Sequence, residues 1–215
     1  AALVTDDTLV VAETATANIT DDAATDIAAT VLSAIGAKTS GAITVTNAID
    51  IAGTADEVTA ALVTDDTLVV ASTATVTISD NPSISALNAI AAKTGGVVTA
   101  TLAADSLSNL GALTTAGTDV ITITVNDNAE ADVTASDLST LGGKTAGTVT
   151  VTNAVAITGD HDQLTAALVT DDTKVVASTA TATVNDNAET VITAAELSAI
   201  GGKTSGQVTV SNAVA

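Results

Sequence analysis

The phrase AALVTDDT stands at Ala1, Ala60 and Ala166. A second phrase, Lys-Thr with a glycine two positions beyond the threonine, stands at Lys38, Lys93, Lys144 and Lys203, at intervals of 55, 51 and 59. Between these lysines lie Asp65–Asp66, a degenerate stretch at Thr114–Gly117, and Asp171–Asp172. A chain with this self-similarity is built from supersecondary units that bury their apolar faces on the copies before and after them. Two kinds of coil therefore alternate, a KT coil and a TDD coil. One apolar anchor recurs through both, at Leu32, Val58, Leu87, Leu107, Leu138, Leu164 and Leu197; 165 positions in six steps give a mean period of 27.5.

Each period reads as a short helix followed by a strand. Thr54 with Glu57, Thr134 with Asp137 and Thr193 with Glu196 fit a capping box, in which two side chains satisfy the orphan N–H groups of a helix start. Asn81–Pro82 and Asp105 are further cap signals. The anchors pair with an apolar residue three positions on, as in Leu32/Ile35, Leu138/Leu141, Leu164/Ala167 and Leu197/Ile200. Gly36, Gly111, Gly142 and Gly201 are expected to end helices in the left-handed conformation. Alternating β-branched runs follow at 43–46, 75–78, 121–125, 148–152 and 208–210. Strands that return every ~27 residues through a helix pair in parallel with right-handed crossovers. The predicted fold is a repeat solenoid of the α/β class, leucine-rich-repeat-like in geometry, with an all-β solenoid as the alternative. The array is expected to run continuously over residues 1–215 in about eight coils, as a fragment of a longer chain.

The composition fits such a coil and excludes much else. Of 215 residues, 45 are Ala and 42 Thr, and there is no Phe, Tyr, Trp, Cys, Met or Arg. A narrow coil needs only Leu, Ile, Val and Ala inside, stacked on like residues. Disulfides, cysteine metal sites, thiol catalysis and aromatic ligand platforms are excluded. Five lysines against 25 carboxylates, a net charge of −20, cannot make the basic stripe that nucleic acid requires. No apolar run reaches the ~18–20 residues of a transmembrane segment. At 47% hydrophobic residues the chain is too apolar for acidic disorder.

Candidate sites are few. The GGKT phrases at Gly142–Thr145 and Gly201–Thr204 imitate the end of a phosphate-binding loop, but Leu138 and Leu197 occupy the place of its first glycine. They read as helix ends. Clusters of hard oxygens at Asn126, Asp127 and Asn128 and at Asn185, Asp186 and Asn187 are the candidate calcium ligands, against the alternative that Asn and Asp here form turns and caps. The Asp6–Asp7, Asp65–Asp66 and Asp171–Asp172 pairs lack a third ligand group. The single histidine, His161, reads as a surface-loop residue. Every other candidate recurs by repetition, whereas an active site is one asymmetric constellation, so no enzyme is expected. Thr-x-Thr ranks such as Thr122/Thr124 and Thr150/Thr152 would suit an ice-binding face, or serve simply as polar strand formers.

The phrases LSAIGGKTSGQVTVSNAVA (Leu197–Ala215) and VTVTNAVAITG (Val149–Gly159) resemble the repeat arrays of giant, acidic, secreted cell-surface proteins of marine cyanobacteria. That resemblance implies an extracellular, cell-surface location and service as an adhesin, surface layer or filament. The expected partners are neighbouring repeats of the same chain, or copies associating end to end. The alternative function is a repeated ligand-binding module, for calcium first and ice second.

Overall fold

The computed structural model describes residues 13–64, 68–171 and 174–215. The first AALVTDDT phrase, Asp6–Asp7, Asp65–Asp66 and Asp172 lie outside them. The molecule is an α/β protein with parallel sheets, divided into two compact units between Thr101 and Leu102.

In the first unit, β1 (Ala17–Ile19), β3 (Ile43–Val45) and β5 (Val69–Val70) form one parallel sheet, with Ala17 opposite Ile43 and Ile43 opposite Val69. A second sheet has the order β2 (Asp26–Ala28), β4 (Asp50–Gly53), β6 (Thr75–Ile78), β7 (Val98–Thr101). Helices α1 (Ala29–Gly36), α2 (Ala55–Leu62) and α3 (Ile84–Ala91) pack in succession beside the strands.

The second unit repeats this plan. Strands β8 (Val120–Val125), β10 (Val149–Val151) and β12 (Val175–Val176) pair in that order as its first set of parallel strands. Strands β9 (Asp132–Thr134), β11 (Ala156–Gly159), β13 (Thr181–Val184) and β14 (Val208–Val210) form the second. Its helices are α4 (Leu107–Leu110), α5 (Ala135–Gly142), α6 (His161–Leu164), continued by a π turn at Thr165–Val169, and α7 (Ala194–Gly201). Ile43 and Val149, 106 positions apart, hold the same place, as do Asp50 and Ala156 and then Val69 and Val175. No sheet in either unit closes into a barrel.

Each helix stands on its anchor. Leu32, Val58, Leu87, Leu107, Leu138 and Leu164 are buried, and Leu197 is half-buried beside buried Ile200. Inward strand residues are Ile43, Val45, Ile51, Val76, Ile123, Val149, Ile157 and Ala182, so aliphatic side chains stack on like side chains in register. Fully burying one such residue contributes about 1.5–3 kcal/mol before the entropy of ordering is subtracted.

Four expectations need correction. A typical repeat carries two strands, not one: the short pairs Val69–Val70 and Val175–Val176 and the segments 50–53 and 156–159 also pair. Consequently the 43–46 and 75–78 runs lie in different sheets rather than in equivalent places. No described glycine has a positive φ; the cap residues Ala37, Gly111, Gly143 and Gly202 are right-handed. The left-handed positions are instead Ala24 and Glu130, in turns between strands, and Leu68, Lys174 and Glu189, in the connections between a helix and a strand. Finally, Ser83 and Ser106 cap α3 and α4, next to the expected Pro82 and Asp105. The boxes at Thr54/Glu57 and Thr193/Glu196 are complete, whereas Thr134 caps α5 without a return bond from Asp137.

Candidate functional site

The Asn–Asp loops join one repeat to its neighbour. Asp127 lies two residues beyond β8, and its Oδ2 accepts the backbone N–H of Leu107, the first residue of α4, at 2.7 Å. Asp186 Oδ2 accepts the N–H of His161 at 2.7 Å, and Asp80 Oδ1 that of Ala55 at 2.7 Å. A helix start presents unpaired N–H groups and the positive end of its dipole, so a carboxylate from the next coil suits it. The return half of the clasp is an asparagine. Asn153 Nδ2 donates to the Asp127 carbonyl at 2.7 Å and to that of Asn126 at 3.3 Å. Asn212 donates to the Asp186 carbonyl and Asn47 to that of Asp21, each at 2.7 Å.

The six sequence candidates are thereby located. Asn126 and Asn185 are exposed, and their backbone N–H groups donate to Asp105 and Gly159. Asn128 and Asn187 are exposed turn residues whose carbonyls accept from Ala131 and Thr190. The two triplets sit in separate loops, and a carboxylate oxygen of Asp127 and both of Asp186 have protein partners. Among the described residues no three His, Asp or Glu side chains are placed to share a metal.

The KT phrase is the second clasp. Thr39, Thr94 and Thr204 each donate a hydroxyl hydrogen to a carbonyl of the preceding TDD coil: Ala15, Ala74 and Ala180. Thr145 is 2% exposed; its Oγ1 lies 2.8 Å from the Ile121 carbonyl and accepts from the N–H groups of Ile121 and Gly147, each at 2.8 Å. The glycine two positions on is required by space, not by φ. A Cβ on Gly41, Gly96, Gly147 or Gly206 would fall inside the contact radius of the carbonyl oxygen of Ala15, Ala74, Ile121 or Ala180. The resemblance of GGKT to a phosphate loop thus comes from a helix end followed by a closure point between backbones.

His161 is not a loop residue. It begins α6, and its side chain is 15% exposed. The carboxylate of Asp186, 5% exposed, accepts from the ring Nδ1–H at 2.6 Å. That hydrogen bond holds the imidazole above its ordinary value against burial, and the charges of Asp186, Asp162 and Glu196 add to it. Burial alone would push the Asp186 carboxyl up; the hydrogen bonds from the His161 ring and N–H outweigh it and keep the group low. The sequence signal was present in the Asp160/Gln163 capping box that starts α6, a variant of the Ser/Thr pattern.

A cleft of about 410 Å³ opens where α4 is only four residues long, lined in part by Leu107, Gly111, Asp127, Asp137, Thr140 and Lys144. Lys144 Nζ donates to the Gly111 carbonyl at 2.8 Å across it. No family model, curated protein or solved structure matches the chain.

Proposed function

We propose that the chain is a structural, non-enzymatic solenoid segment whose coils stack in an extracellular adhesin, surface layer or filament. The observation that carries this reading is the recurrence of the polar chemistry: the KT threonines, the loop aspartates and the paired asparagines each bind one coil to the next. Repetition of one contact along a chain supports length and cohesion, whereas catalysis needs one singular arrangement. The acidic composition and the resemblance to secreted cyanobacterial arrays support the extracellular part.

A deletion tests the solenoid. Joining Thr44 directly to Val151 removes 106 residues and keeps the register. The shortened chain is expected to melt cooperatively by circular dichroism; an unfolded product overturns the repeat architecture. Antibodies against the segment, applied to intact cells of the source, test display: labelling only after lysis overturns the surface assignment.

A further inference from the structure

We propose that His161 and Asp186 form a proton-dependent clasp between two consecutive coils of the second unit, a conformational device that the first unit lacks. The capping bond itself is common to both units: Asp80 holds the N–H of Ala55 as Asp186 holds that of His161, both at 2.7 Å. Ala55 and His161 follow β4 and β11 by two residues and begin the helices of equivalent coils. At this one position the second unit replaces a methyl group with an imidazole. The ring reaches the second oxygen of the same carboxylate, making a two-point contact between the α6 start and the loop after β13.

The surroundings are uniformly acidic. Asp186 faces the ring at 2.6 Å and Asp162, on the same helix, lies 3.4 Å from Nε2. Helix α7, packed on α6, contributes the field of Glu196. Helix α5 carries Asp137, which lines the cleft beside Lys144, and β11 and β13 carry no charged residue. No lysine is among the groups acting on the ring. A charged imidazolium is therefore favoured in the folded unit, and the contact with Asp186 is an ion pair as well as a hydrogen bond.

The direction of the pH dependence follows. His161 holds its proton more tightly folded than unfolded. Its contribution is complete below 6.5, its ordinary value, and is lost as pH rises through the raised value. Above that, the neutral ring keeps one hydrogen bond but not the charge attraction, and α6 loosens from the coil that follows it.

The test compares the whole chain with His161→Ala, the residue already accommodated at Ala55 of the first unit, so this variant is expected to fold. The wild type is expected to melt higher than the variant below the histidine value and to lose that advantage on alkaline titration. Amides of α6 and of 185–192 are expected to exchange several-fold faster at high pH in the wild type, beyond the intrinsic dependence, while those of the first unit do not change. The proton spectrum of the only histidine is expected to titrate above 6.5, and Asp186→Asn to bring it down. A His161 titration at or below 6.5, or a melting difference that stays constant across the range, overturns the proposal.

Discussion

Two glycines four positions apart separate the demands of space from those of conformation. Gly143 is right-handed and its nearest foreign atoms lie at ordinary contact distance, whereas Gly147 abuts the Ile121 carbonyl. Gly147→Ala is expected to destabilise by about 1–3 kcal/mol, since a backbone cannot rotate away as a side chain can. Gly143→Ala is expected to stabilise by about 0.4–1 kcal/mol by restricting the unfolded chain. Urea unfolding followed by far-ultraviolet circular dichroism measures both; fluorescence has no aromatic residue to report. Thr145→Val keeps the shape and leaves the buried N–H of Ile121 and the half-buried N–H of Gly147 without their acceptor, at an expected cost of about 1–3 kcal/mol. Equal stability of the glycine variants would mean that the coil can widen at its closure point.

At the scale of elements, the helices are short and depend on their first turns. α2 receives a hydroxyl and a carboxylate from its own capping box and a second carboxylate, Asp80, from the next coil. Asp80→Ala is expected to cost about 0.5–2 kcal/mol, equally with and without calcium, because the carboxylate acts on an N–H group. A loss seen only with calcium present would give this loop a metal role. The turns between strands carry strain of another kind: Glu130 holds φ 65° without being glycine. Glu130→Gly is expected to raise stability, by up to about 1 kcal/mol, from relief of that conformation. The α7 carboxylate gives a pH signature opposite to that of His161. Hydrogen bonds from the Thr193 N–H and then its hydroxyl hold Glu196 below the usual carboxylate range. Its contribution is present at neutral pH and lost as acid titrates it, so Glu196→Gln is expected to flatten the acid limb of the melting curve.

For the whole molecule, a net charge of −20 on 215 residues acts on both units at once. Self-repulsion favours the expanded chain, and the Debye length contracts from roughly 30 Å at 0.01 M salt to 10 Å at 0.1 M. The melting temperature is expected to climb with sodium chloride. Calcium and magnesium at matched ionic strength are expected to raise it alike, since no three His, Asp or Glu side chains stand together among the described residues. A calcium-specific rise would mark a site that folding or association completes. The duplication of the plan after 106 positions gives each unit two sets of parallel strands and an aspartate bound to the start of an equivalent helix.

Periodicity and composition pointed to the α/β class, with an all-β alternative left open, and to the parallel pairing, six buried anchors and two complete capping boxes, because these depend on local spacing and on which residues a repeated interior admits. The second strand of a typical repeat was hidden for a physical reason. Val69–Val70 and Ala156–Gly159 have no alternation long enough to read, and they become strands only because a neighbour in register supplies their hydrogen bonds. The polar loops show the same division. Asp186 and His161 are 25 positions apart and look like a turn residue and a loop residue, yet the coil return places them 2.6 Å apart. Local sequence sets the helices and the longer strands; the partner of a carboxylate, and so its role as ligand, cap or clasp, is decided only when one repeat packs on the next.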